Sequence, residues 1–72
     1  MKKTQILPKK FGENIKYIRL QKKMSQGDIA RALNVHRSYI SGIERGVRNP
    51  SLKNIDRFAR ALDVDISELF KF

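Results

Sequence analysis

The chain has no cysteine among its 72 residues, which excludes disulfide cross-links, thiolate zinc sites and thiol nucleophiles together. A cytoplasmic location is the expectation that follows. Its single histidine, His36, has no second histidine, no cysteine and no carboxylate cluster near it in sequence, so neither a metal site nor a catalytic triad can be built around it. The four glycines, Gly12, Gly27, Gly42 and Gly46, are scattered and form no phosphate-binding loop. Asp63 and Asp65 are an isolated acidic pair that helix capping explains. Nothing here points to an enzyme, a cofactor or a bound metal. Long hydrophobic runs are also missing: none approaches the roughly 20 residues of a membrane span, and the lysines at the start lead into no signal-peptide core. No membrane partner is expected.

Negative charge is scarce. Seven Asp and Glu face sixteen Lys and Arg, a formal balance of +9. Lys2, Lys3, Lys9 and Lys10 supply four of the sixteen, and the rest of the chain remains basic without them. A solubility surface or a contact with acidic lipid would account for such a charge, but a polyanion is the better match where a nucleic-acid motif accompanies it. The length allows one domain. So short a chain buries only about 60% of its unfolded surface and is stabilised by pairing with a second copy.

That motif lies between Met24 and Gly46, which reads as helix, tight turn, helix. Ser25 with Asp28 three residues on is an acidic form of the capping box, and Met24 with Ile29 can close a hydrophobic staple. Ile29, Ala30 and Leu33 then share one helical face, and Asn34 tolerates the left-handed conformation of a helix stop. Val35 plugs the turn. Tyr39, Ile40 and Ile43 begin a second periodic run that Gly46 ends. Between those apolar positions lie Arg37, Ser38, Ser41, Gly42 and Arg45, a basic, small and hydroxylic outer face.

The run Ser25, Gln26, Ile29, Ala30, Leu33, Val35, Ile40, Ile43, Glu44, Gly46, Pro50 and Ser51 resembles the helix-turn-helix family of phage repressors, Cro proteins and xenobiotic-response-type bacterial regulators. The likeness covers roughly Phe11 to Leu69. It implies an all-α, lambda-repressor-like domain: a compact five-helix bundle whose second motif helix lies in the DNA major groove. Two positions depart from the family pattern. Asn34 replaces the usual Gly, a mild change, and His36 replaces the usual Ser or Thr cap, which leaves the start of the recognition helix weaker or capped by imidazole or water. The resemblance further implies an ion pair between Arg19 and Glu44, base-edge contacts from Arg37 and Ser38, and a base-edge or backbone contact from Gln26. Tyr39, Ser41, Arg48 and Asn49 then fall to the DNA backbone or the width of its groove. Gly42 either permits close approach to DNA or is a tolerated flaw in the helix. The run SYISGIERGVRNPS looks like the controller proteins of restriction-modification systems, and like small phage or mobile-element repressors.

Outside the motif, residues 1–8 read as a basic arm, either trailing along DNA or solvated, and residues 9–72 as the domain. A first helix is expected from Lys9 to Lys23 with Phe11, Ile15 and Ile18 inward. A fourth opens at Ser51 with Leu52, Ile55, Phe58, Ala59 and Leu62 on its apolar face. A last short helix follows Asp65, whose capping box would be completed by Glu68, with Val64 and Leu69 as a staple. Ile66, Leu69, Phe70 and Phe72 are too many large apolar groups for one short helix to bury, so they mark a dimer interface. The combined expectation is a homodimeric transcriptional regulator on a pseudo-palindromic, double-stranded operator. With no room for a ligand domain, no small-molecule effector is expected. An antitoxin-like or adaptor module, with protein as its main partner and DNA secondary, is the competing reading.

Overall fold

The computed structural model describes residues 6–72, and among these all regular structure is helical: α1 (Ile6–Gln21), α2 (Gln26–Leu33), α3 (Arg37–Glu44), α4 (Leu52–Leu62) and a 3-10 helix (Ile66–Phe70). The fifth α-helix expected from the sequence is therefore this shorter, tighter turn. Four α-helices make the bundle.

Helix α1 already includes Ile6, three residues before the start that the apolar spacing suggests, and so takes in Pro8, whose fixed φ of about −65° is a helical value. Of the residues read as the arm, Ile6, Leu7 and Pro8 are thus helical, while Lys2 and Lys3 lie outside the described residues. Phe11, Ile15 and Ile18 face inward as expected, and Arg19 joins them. Gly12 is buried where α1 crosses the end of α3: a Cβ there would collide with the backbone carbonyls of Ile43 and Glu44. Any side chain at residue 12 would push α1 off α3.

The caps of α2 follow the sequence closely. Ser25 Oγ accepts from Asp28 N–H at 2.9 Å while Asp28 Oδ2 accepts from Ser25 N–H at 2.8 Å, and Asn34 closes the helix at φ 57°. Met24 and Val35 pack, partly buried, against the core. Ser51 caps α4 through the Asn54 N–H at 3.1 Å, and Asp63 ends it in the left-handed region at φ 57°.

The last element departs from its expected cap. Asp65 Oδ2 accepts from the N–H and the hydroxyl of Ser67, at 3.1 and 2.7 Å, and Glu68 turns outward to Lys71 at 2.9 Å. In the tighter 3-10 turn the Ser67 amide, two residues on, is the one that meets the capping carboxylate. The Asn14 side chain donates to the carbonyls of Glu68 and Leu69 at 2.8 and 2.9 Å, fastening this turn to α1.

The core joins Phe11, Ile15 and Ile18 to Ile29, Ala30, Leu33, Ile40, Ile43, Phe58, Ala59, Leu62 and Leu69. Phe11 meets Phe58 edge-on at 6.4 Å between centroids and Phe70 at 5.2 Å. Two expectations change here. Leu52, at the first position of α4, lies a turn beyond the packed face and is 85% exposed. Leu69 is fully buried within its own subunit, leaving Ile66, Phe70 and Phe72 on the surface.

Candidate nucleic-acid interface

Helices α2 and α3 pack against each other through Ile29, Leu33, Ile40 and Ile43, which leaves the start of α3 and the loop after it outside. His36 supplies the cap in place of a hydroxyl. Its Nδ1 accepts from the Ser38 N–H at 3.1 Å and lies 2.9 Å from the Ser38 hydroxyl. Accepting the amide proton requires the neutral tautomer with its proton on Nε2. The imidazole therefore does the work of the usual Ser or Thr, and α3 starts at Arg37 as a regular helix.

Beneath this surface lies a buried charge pair. Arg19 Nε donates to Glu44 Oε2 at 2.6 Å and Arg19 Nη2 to Glu44 Oε1 at 3.0 Å, with side-chain exposures of 8% and 3%. Arg19 Nη1 also donates to the Met24 carbonyl at 2.9 Å. The two-point contact with Glu44 pushes the guanidinium pKa further up. Glu44 is the only acid between Arg37 and Pro50, so burying it against Arg19 leaves the surface of this segment without negative charge. What remains outside is basic or neutral: Arg37, Ser38, Arg45, Val47, Arg48 and Asn49 are exposed.

Gln26, partly buried at the start of α2, touches both levels. Its amide nitrogen donates to Glu44 Oε1 at 3.0 Å, and its amide oxygen accepts from Arg37 Nη1 at 2.6 Å. Arg37, Gln26, Glu44 and Arg19 thus form one connected group. Ser38 stands beside them, held by His36.

Tyr39 and Arg48 form a second group. The Arg48 guanidinium carbon lies 5.1 Å from the centre of the Tyr39 ring, and the Arg48 stem covers Gly42, where a Cβ would collide with it. Gly42 is consequently buried beneath Arg48 and is not an open point of approach. Tyr39 Oη accepts from Asn54 Nδ2 at 3.0 Å, Asn54 Oδ1 accepts from Arg57 Nη1 at 3.2 Å, and Arg57 Nη2 donates to the Leu33 carbonyl. Ser41 is half-buried on α3 and Asn49 exposed in the following loop.

Nothing in the sequence singles out Asn54 and Arg57. Their spacing of three does place them on one face of α4, but that they reach Tyr39 and the end of α2 depends on how α4 packs. Gly12 is equally silent, since a lone helical glycine carries no local sign of what crosses it.

The helix-turn-helix family model matches residues 15–69. Control protein C.BamHI of Bacillus amyloliquefaciens is 48% identical over 63 residues, which cover 86% of this chain and 78% of that protein. The crystal structure of the restriction-modification controller protein C.AhdI from Aeromonas hydrophila is similar at a TM-score of 0.83 and 45% identity, covering 86% of this chain and 94% of that one. A third relative, the controller protein C.Esp1396I, has been solved as a tetramer in complex with its natural 35 base-pair operator. It matches at a TM-score of 0.75 and 40% identity over 90% of this chain and 96% of that one.

Proposed function

The chain belongs to the helix-turn-helix family, and we propose that it is a sequence-specific DNA-binding transcriptional regulator that occupies a pseudo-palindromic operator as a homodimer, in the cytoplasm. The observation that carries this reading is the acid-free surface of α3 and its following loop, prepared by the burial of Glu44. On it Arg37 and Ser38 are offered to base edges with Gln26 beside them, and Tyr39, Ser41, Arg48 and Asn49 are offered to the backbone. Two subunits would place their α3 helices in major grooves about one helical turn apart. The likeness to C.BamHI, C.AhdI and C.Esp1396I favours a controller role in a restriction-modification system. Ile66, Phe70 and Phe72 are exposed, the last two with their rings 6.4 Å apart, and are offered as the apolar surface for the second subunit.

Footprinting on the DNA upstream of its own gene tests the reading. A two-fold symmetric protected site is the expected result; no protection at low salt would overturn it.

A further inference from the structure

The polarity of the Arg37, Gln26, Glu44 and Arg19 group is not arbitrary. A carboxylate only accepts hydrogen bonds and a guanidinium only donates them. Glu44 therefore compels Gln26 to turn its NH2 inward, at 3.0 Å, which leaves the Gln26 oxygen facing outward as an acceptor for Arg37 at 2.6 Å. With the amide reversed, a carbonyl would face a carboxylate and an NH2 would face a guanidinium. Neither hydrogen bond could then form. The carboxylate is itself fixed, because Arg19 holds both of its oxygens in the core. A rigid buried charge pair thus sets the orientation of one amide, and that amide holds an arginine that is otherwise exposed and free to turn about four side-chain bonds.

We propose that Glu44 is a positioning residue for base recognition: acting through Gln26, it orders the Arg37 guanidinium in the DNA-free protein with one N–H engaged and the others available for a guanine edge. The proposal rests on the reading of Arg37 as a base-contacting residue. It assigns Gln26 a role on Arg37 and not on the DNA directly. Holding the side chain before DNA arrives removes part of the ordering cost of binding, which for one long side chain corresponds to roughly fivefold in affinity. That gain is confined to DNA that Arg37 can read.

Two measurements test this. In the DNA-free protein, 15N relaxation at Arg37 Nε should report an ordered side chain that becomes mobile in Gln26→Met, a change that removes the amide and keeps the bulk. It should become mobile also in Glu44→Met, which leaves the Gln26 NH2 no acceptor, measured at a temperature where circular dichroism shows that variant folded. Order unchanged by Gln26→Met overturns the proposal whether or not Glu44→Met folds. Mobility on Gln26→Met but not in folded Glu44→Met overturns the role of Glu44. With an operator, Gln26→Met should lower the ratio of specific to non-specific affinity by roughly fivefold for each subunit, hence roughly 25-fold for the dimer, in the wild-type background and leave it unchanged in Arg37→Ala. An equal loss in both backgrounds means that Gln26 reads DNA itself and overturns the proposal. If Arg37→Ala alone leaves the ratio unchanged, the base-contact reading has failed, and the relaxation data still decide the ordering.

Discussion

Arg48 rests on Tyr39 and Gly42 together: its guanidinium carbon lies 5.1 Å from the Tyr39 ring centre, and its stem occupies the space that a side chain at residue 42 would need. A loop residue is thereby tied to the outer side of α3. This relationship explains why a glycine, unfavourable by roughly 1 kcal/mol relative to Ala inside a helix, occupies the middle of an eight-residue one.

Gly42→Ala should for that reason change stability little and DNA binding more. The helix gains about 1 kcal/mol of propensity and gives up a cation–π interaction of about 0.5–1 kcal/mol as Arg48 swings away. A denaturant melt should show near-cancellation. Affinity for specific and scrambled DNA should fall together, since Arg48 would lose its placement toward the phosphates; unchanged affinity for both would dissociate Arg48 from the interface.

Arg19 and Glu44 set a larger stake. Removing Glu44 alone strands a buried guanidinium and the Gln26 amide, so Glu44→Ala should cost on the order of 3 kcal/mol, against under about 1 for an exposed pair. A double-mutant cycle with Arg19→Met should show the second change costing much less once the first is made. Coupling near zero would mean that the pair contributes nothing in solution.

Association should depend on the surface and not on the core. Phe72→Asp, at a residue 54% exposed, should leave the fold intact and weaken two-fold association in sedimentation over a concentration series; Phe70→Asp should weaken it too, with some loss of stability because Phe70 also packs on Phe11. Leu69→Asp, at a fully buried residue, should unfold the subunit. A wild-type monomer at high micromolar concentration would exclude this dimer surface.

How far the sequence could be read depended on the range of each interaction. Ser25 with Asp28 and the left-handed stop at Asn34 are local, and local chemistry determines them. The imidazole cap at His36 is equally local but uses an uncommon acceptor, so its strength could not be judged from residue type. Leu69 and Ile66 look alike in sequence. Leu69 packs into the core and Ile66 stays outside, a difference set by how the last turn docks on the bundle, where the Asn14 bonds to the carbonyls of Glu68 and Leu69 span more than fifty residues. The Arg19–Glu44 pair came from family likeness, whereas the Gln26 link between Glu44 and Arg37 depends on the angle at which α2 meets α3, which no residue spacing encodes.

Acid should weaken the fold through two exposed caps. The Ser25 backbone and then its hydroxyl hold Asp28 below the usual carboxylate range, and Asp65 is held there by the Ser67 hydroxyl and then its amide. Because the folded values lie below the unfolded one, the unfolded chain binds more protons, and stability rises with pH across the interval. The contribution is fully present above about pH 4, the ordinary Asp range, and is lost as pH falls through the lower folded values. Asp28→Asn with Asp65→Asn keeps an acceptor and removes the titration. It should flatten the fall of Tm below about pH 4; an unchanged acid limb would show that these caps do not form in solution.

Reading and holding should separate at Arg37 and Arg48. Arg37, at the first position of α3 with one N–H on Gln26, keeps enough donors for O6 and N7 of a guanine, a contact that discriminates by about 1–3 kcal/mol. Arg48, over Tyr39 in the loop that follows, is offered to a phosphate, which carries charge and no base identity. Arg37→Ala should therefore weaken binding to the operator far more than to scrambled DNA and relax preference at one position in each half-site. Arg48→Ala should weaken both DNAs alike. It should also reduce the slope of log affinity against log salt by about one for each phosphate no longer neutralised, hence about two for a dimer. Titrations of the two variants on both DNAs, at several salt concentrations, make the comparison. If Arg37→Ala left the ratio of specific to non-specific affinity where it was, the reading face of α3 would have to be sought on residues other than Arg37.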